Sequence, residues 1–159
     1  MRQTSAGWLP NDDQRAAGER VHDLDLPGLD KFSKLPARRK TGATAFLTVQ
    51  EGCDKFCTYC VVPYTRGAEI SRPFSELVDE AKALVDAGAK EITLLGQNVN
   101  AYGVDFGDRG AFAKLLKEVA AIDGLERLRF MSPHPRDFTD DVIEVMATTP
   151  VVMPHLHMP

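Results

Sequence analysis

Three cysteines lie within a single stretch of eight residues, at Cys53, Cys57 and Cys60, and the chain of 159 residues has no other cysteine. Thiolates are soft ligands, which suit zinc or iron-sulfur clusters. A structural zinc site normally closes with four protein ligands, whereas a catalytic centre keeps one position open. Three thiolates from one loop therefore predict a metal centre with one position left for a substrate or a cofactor.

The three cysteines also admit other interpretations. A disulfide with one odd thiol would suit a secreted protein, which nothing else in the sequence indicates. Unrelated core thiols would be scattered along the chain rather than clustered. A zinc site completed by His134, His155 or His157 stays open, although no paired CxxC or HxxxH spacing accompanies the cysteines.

The residues around the cysteines resemble a known family. The CxxxCxxC spacing, with the aromatic Tyr59 directly before the last cysteine, is similar to the signature of the radical-SAM superfamily. The string GCDKFCTYCVVPYTRG at 52–67, with SRP at 71–73 and LLGQNVNAYG at 94–103, resembles the tRNA methylthiotransferases of the MiaB type. The resemblance runs from about residue 32 to the last residue. Branches that modify a ribosomal protein or another tRNA base usually differ at 97–100.

The resemblance implies a cofactor and a reaction. Cys53, Cys57 and Cys60 would ligate a 4Fe-4S cluster whose open iron binds the amino and carboxylate groups of S-adenosylmethionine. An electron, supplied by a reductant protein such as flavodoxin, would cleave the sulfonium and give a 5'-deoxyadenosyl radical. That radical would abstract hydrogen from the adenosine beside the tRNA anticodon that receives the methylthio group. The resemblance assigns contacts with the cofactor to five residues: Tyr59, Gly96, Gln97, Asn98 and Ser132. It identifies no catalytic residue.

Strands and helices that would position this loop can be predicted from the hydrophobic pattern. A run rich in β-branched and apolar residues at 44–50 predicts a buried strand that ends at Gly52. Apolar residues at helical spacing over 75–87 predict an amphipathic helix that stops at Gly88. A second strand is predicted at 91–95, so that strand, helix and strand form a right-handed βαβ unit.

The same unit repeats further along the chain. The apolar stripe over 112–122 predicts a second helix, and 128–131 predicts a third strand. Thr139 is expected to cap a third helix that Pro150 stops, and a fourth strand is predicted at 151–156. These repeats predict an α/β fold, a partial parallel (β/α) barrel of the radical-SAM type with about four strands and three helices.

Function is expected at the carboxyl ends of the strands, where the loops of a parallel sheet converge. The cysteine loop, 96–98, 132–134 and 155–157 all fall there. His134 is flanked by prolines and is expected to brace its loop. His155 and His157 alternate along the predicted fourth strand and would face opposite ways, which favours a structural role.

The domain organisation follows from composition and from the resemblance. Residues 1–40 carry much Gly, Pro and charge and are expected to be a mostly irregular linker and remnant of a preceding region, with 41–159 as the radical-SAM core. In the resembling family a domain with a second cluster precedes the core and a small RNA-binding β-barrel follows it. The chain is therefore expected to be an internal fragment, truncated at its C-terminal end, that would at most cleave S-adenosylmethionine.

Charge and hydropathy limit the possible partners. A net charge of −4 provides no global attraction to a phosphate backbone. A tRNA would therefore be held by a local patch of this chain or by something outside it. No apolar run is long enough for a bilayer and no signal-peptide pattern opens the chain, so no membrane partner and a cytoplasmic location are expected. The alternatives are a zinc-stabilised non-catalytic binding module, or a methylthiotransferase acting on another tRNA base or a ribosomal protein.

Overall fold

The structure, a computed structural model, describes Phe32 and residues 42–158. The linker predicted at 1–40 lies, apart from Phe32, outside the described residues, and the domain boundary stays a prediction. All elements given below belong to the second of the two units into which the chain divides, Arg39–Pro159. No helix in the described part of the chain is long and apolar enough to cross a membrane.

Strands and helices alternate along the chain. The strands are β1 (Thr44–Thr48), β2 (Gln50–Glu51), β3 (Ile70–Ser71), β4 (Glu91–Leu95) and β5 (Arg127–Phe130). The α-helices are α1 (Val62–Arg66), α2 (Phe74–Asp86), α3 (Ala111–Ala120) and α4 (Asp140–Thr148). Single turns of 3-10 helix cover Val99–Ala101, Val104–Phe106 and Pro135–Asp137.

The main sheet contains β1, β4 and β5 in that order, and all its pairs are parallel. In the register of the sheet, Leu47 lies opposite Leu94, and Leu94 lies opposite Phe130. Because the strands run in one direction, their carboxyl ends share one edge, and the loops after them emerge side by side. The predicted α/β class with a parallel sheet is confirmed.

One face of this sheet is covered by α2, α3 and α4. Leu47, Leu94 and Phe130 point into the core between sheet and helices, and each is at most 1% exposed. The ring of Phe112 on α3 packs edge to face against Phe130, with 5.3 Å between centroids. On the other face Phe46 is 57% exposed. The helices thus hold the sheet from one side only, as in a barrel that has not closed.

The strand predicted at 44–50 ends two residues early, because the backbone changes partners at Val49. Its N–H donates to the carbonyl of Leu95 in the main sheet, while its carbonyl accepts from the N–H of Arg72. The next residues, β2, then pair antiparallel with β3. This switch turns the chain out of the sheet directly before the cysteine loop.

The fourth strand predicted at 151–156 is wrong. Val152 forms a single parallel bridge with Leu128, and the flanking Met153 N–H donates to the Leu128 carbonyl. Pro154 follows and has no N–H to continue a ladder. The described residues therefore place three strands in the main sheet, not four, and leave His155 and His157 exposed beyond it.

The helix predictions need two corrections. The described residues contain four α-helices rather than three, because α1 forms directly after the cysteine loop, with Pro63 in its first turn, where a missing N–H has no consequence. Thr139 occupies the position before α4, but its side chain makes no capping hydrogen bond. Asp140 and Asp141 do lie in the first turn, as predicted.

Candidate metal centre

The cysteine loop, 52–61, connects β2 with α1 and contains no regular secondary structure. All three cysteines are free thiols; Cys53 is buried, and Cys57 and Cys60 are half-buried. Within a turn, the Cys60 N–H donates a hydrogen bond to the Cys57 carbonyl. The Cys53 N–H donates to the carbonyl of Gly67 at 3.2 Å. The loop thus presents three soft donors from backbone that is not committed to a sheet or a helix.

Gly52 fixes how the chain enters this loop. Its φ is +85°, a left-handed conformation, and a Cβ there would overlap the carbonyl of Ala68. Its N–H donates to Oε1 of Gln97 at 2.6 Å, and its carbonyl accepts from Nε2 of Gln50 at 3.1 Å. Both backbone groups of Gly52 are therefore held by side chains.

Gln50, the first residue of β2, connects β2 with the loop after β4. Its side chain is fully buried, and its Oε1 accepts a 3.4 Å hydrogen bond from the Asn98 N–H. A Cβ at Gly96 would come within 2.7 Å of the same Oε1, so the absence of a side chain there makes room for Gln50. Gly96 and Gln97 thus have structural roles, and their predicted contacts with a cofactor stay predictions.

Asp137 brings the loops after all three parallel strands together. It lies after β5, and its carboxylate accepts hydrogen bonds from Lys55 Nζ in the cysteine loop at 2.8 Å and from Asn98 Nδ2 after β4 at 2.7 Å. Burial by itself would raise the pKa of Asp137, but these two donors, together with the charge of Lys55, outweigh it and lower that pKa. Asp137 is therefore ionised, and its bonds are charge-assisted.

Asn98 has a second polar atom that Asp137 does not use. Its side chain is 1% exposed, and the carbonyl oxygen Oδ1 is buried without a hydrogen-bond partner among the described residues. Buried acceptors without a partner are uncommon in native proteins and mark places where a ligand or water binds. Of the residues predicted to contact a cofactor, Asn98 alone shows such an open acceptor.

The other two predicted contact residues border the same edge in different ways. Ser132, after β5, has φ +58°, which is rare for a residue with a side chain and is typical of functional sites. Its carbonyl accepts from the Val99 N–H at 3.4 Å. Tyr59 is 81% exposed, so its ring is free to pack against another molecule. Their contacts with a cofactor also stay predictions.

Glu69 is a half-buried carboxyl group near the cysteines that the sequence did not reveal. Burial, together with the charges of Asp54 and Asp137, raises its pKa from 4.5 to about 7, although Lys55 opposes the shift. Its Oε2 has no hydrogen-bond partner in the described part of the chain. The pKa of the Cys53 thiol is raised as well, by burial first and then by the charge of Glu69.

For four residues of the site, Gln50, Lys55, Glu69 and Asp137, the sequence predicted no individual role. Gln50 offered the clearest signal, since it is a polar residue directly at the end of an apolar run. The other three lie in polar loops, where no hydrophobic periodicity marks them. Across residues 42–158, no three His, Cys, Asp or Glu side chains are arranged around a common point as ligands of a single metal ion.

Comparisons with known proteins agree on one superfamily. The family model of the radical SAM superfamily matches residues 47–158. The tRNA-2-methylthio-N(6)-dimethylallyladenosine synthase of Zymomonas mobilis is 58% identical over 153 residues, which cover 95% of this chain and 34% of that protein. The protein of the same name from Cereibacter sphaeroides is 57% identical, over 92% of this chain and 33% of its own length. The chain thus spans about a third of these relatives.

A solved structure shares the fold at low identity. It is that of the radical S-adenosylmethionine methyltransferase TsrM from Kitasatospora setae, with cobalamin and a [4Fe-4S] cluster bound. The similarity has a TM-score of 0.52 at 20% identity and covers 69% of this chain and 21% of that one. At this identity the likeness concerns the fold alone.

Replacing Gly52 should test how the entry of the loop is fixed. Gly52→Ala combines a left-handed φ with overlap on the Ala68 carbonyl, whereas Gly107→Ala, at φ +82° with no atom within 4 Å, carries only the backbone strain. We expect Gly52→Ala to lower the free energy of unfolding by at least about 2 kcal/mol more than Gly107→Ala. Urea denaturation of both variants measures the difference, and equal losses would contradict the proposed overlap.

The raised pKa of Glu69 should make the free energy of unfolding depend on pH. Because the folded chain binds this proton more tightly, the group favours folding below pH 4.5, and that contribution is lost as the pH rises to about 7. At pH 8 we expect metal-free Glu69→Gln to be about 1–2 kcal/mol more stable than the wild type, allowing for solvent screening. At pH 4.5 the two should coincide.

Unfolding curves across this pH range test the expectation, with Glu144→Gln on the exposed surface of α4 as the control. A Glu69→Gln variant that is less stable than the wild type at pH 8 would show that the ionised carboxylate stabilises the fold.

Proposed function

The chain belongs to the radical SAM superfamily, and we propose that Cys53, Cys57 and Cys60 hold a 4Fe-4S cluster that binds S-adenosylmethionine. The observation that carries the proposal is the family match over 47–158, which spans all three cysteines. With both bound, the cluster would supply the electron that cleaves the sulfonium of S-adenosylmethionine.

The donor set supports this assignment. Free thiols are the ligands that iron-sulfur clusters take. The three lie on one irregular loop at the carboxyl edge of a parallel sheet, where such folds bind their ligands. Three protein thiolates on a four-iron cluster would leave one iron for the cofactor. The zinc-stabilised binding module has no comparable support, because the matching family model is that of the radical SAM superfamily.

The residues after β4 supply the polar contacts of the proposal. Asn98 Oδ1 would accept a hydrogen bond from an amino or hydroxyl group of S-adenosylmethionine, since its amide nitrogen is already bound to Asp137. Asp137 also binds Lys55 in the cysteine loop. Asp137 thus holds Asn98 and the cysteine loop in one fixed arrangement. The exposed Tyr59 ring would pack against the adenine.

The reaction we propose is methylthiolation of the modified adenosine beside the anticodon of tRNA, which makes the protein a transferase. Its support is the 57–58% identity to proteins named as tRNA-2-methylthio-N(6)-dimethylallyladenosine synthases. As the chain spans about a third of them, tRNA binding and sulfur insertion are assigned to the whole protein, with a reductant such as flavodoxin and a cytoplasmic location.

Iron and sulfide content after anaerobic reconstitution tests the metal centre. We expect about four irons per chain and an electron paramagnetic resonance spectrum of the reduced protein that shifts when S-adenosylmethionine is added. Cys57→Ala should lose most of the iron, because two thiolates do not hold the cluster. Thr58→Ala, an exposed change in the same loop, should retain it. Full iron with an unchanged spectrum in Cys57→Ala would refute the ligand assignment.

Removing the open acceptor tests the cofactor contact. In Asn98→Ala we expect the dissociation constant of S-adenosylmethionine to rise at least about tenfold, since the variant loses a cofactor hydrogen bond of roughly 1–1.5 kcal/mol as well as its bond to Asp137. Equilibrium dialysis on the reconstituted protein measures it, and cluster content should match the wild type. Unchanged affinity at equal cluster content would remove Asn98 from the cofactor site.

A further inference from the structure

The imidazole of His134 lies against the cysteine loop. Its Nε2 is 3.8 Å from Sγ of Cys57, within hydrogen-bonding range for sulfur. The two residues are 77 positions apart in the chain, and His134 comes from the loop after β5. The contact therefore exists because the parallel sheet brings both loops to one edge.

The other ring nitrogen determines which atom carries the proton. Nδ1 of His134 accepts a 3.2 Å hydrogen bond from the backbone N–H of Arg136. A backbone N–H only donates, so Nδ1 presents its lone pair and the proton of the neutral ring lies on Nε2. The nitrogen that faces Cys57 is consequently a donor.

The backbone of His134 is anchored on both sides by one buried side chain. Asn100 Oδ1 accepts from the His134 N–H at 2.7 Å, and Asn100 Nδ2 donates to the His134 carbonyl at 3.0 Å. Asn100 is 4% exposed and lies in the 3-10 turn after β4. Pro133 and Pro135 restrict the chain on either side. The ring is thus held toward Cys57 by a fixed frame.

We propose that His134 donates a hydrogen bond from Nε2 to the Cys57 sulfur and thereby raises the reduction potential of the cluster that this thiolate holds. The inference rests on the proposed function. Reduction adds negative charge to a cluster and its thiolates, and an N–H donor stabilises the more negative state more strongly. Hydrogen bonds to ligand atoms are a general means by which proteins tune metal centres. His134 would thus act through the ligand Cys57, without touching the substrate or the cofactor.

A purely structural role for His134 makes a different prediction. A residue that only braces its loop would change thermal stability or cluster content when replaced, but would leave the midpoint potential of the remaining cluster unchanged. The potential therefore separates the two roles.

The test is a redox titration of the reconstituted full chain, followed by electron paramagnetic resonance. In His134→Phe, which keeps a ring but loses the donor, we expect a lower midpoint potential at wild-type iron content. In His134→Gln, whose amide keeps an N–H, the potential should stay near that of the wild type. His155→Phe, the same change at an exposed site outside the metal centre, should leave the potential unchanged.

Equal potentials in all four proteins would overturn the inference and leave the proposed function intact. Failure of the wild type to take up iron and sulfide would instead overturn the proposed function itself. Nitrogen-15 NMR of the metal-free wild type provides a check that needs no cluster and no substitution. The ring of His134 should carry its proton on Nε2, and a ring protonated on Nδ1 would refute the proposed donor.

Discussion

A single ionised carboxylate holds the site together. Asp137 lies in the loop after β5. Its carboxylate accepts one hydrogen bond from Lys55 in the cysteine loop and one from Asn98 in the loop after β4. Both hydrogen bonds are charge-assisted and partly shielded from water, which makes them stronger than bonds between neutral groups. Since the three loops emerge at one edge of a parallel sheet, this one group can join them.

Two carboxyl groups in this small region differ in charge state because their surroundings differ. Asp137 accepts two donors and its pKa is lowered, whereas Glu69 is half-buried near other acids and its pKa is raised to about 7. Lys55 contributes to both, but it bonds directly to Asp137 only. The cysteine loop is thus bordered by a fixed negative charge and by a group that is partly protonated at neutral pH.

The sequence predicted the features that have a local period and missed those that depend on distant contacts. The α2 and α3 stripes and the three parallel strands follow from repeating apolar positions, and the cysteine spacing singled out the cysteine loop, whose role as a metal centre stays a prediction. Val49 looks like any strand residue, so the switch of partners after it had no local signal. Pro154, by contrast, is visible in the sequence, and the prediction of a fourth strand overlooked its missing N–H. The bond between Lys55 and Asp137 spans 82 residues, which no periodicity reveals.

That separation of 82 residues also sets an order of events during synthesis. Because the chain is synthesised from its N-terminus, the cysteine loop leaves the ribosome before the carboxylate that anchors it. Until β5 and the following turn exist, the three thiols are attached to a chain that cannot yet place them. The nascent protein therefore passes through a stage in which the three thiols, which we propose as cluster ligands, lack their folded surroundings and are open to oxidation.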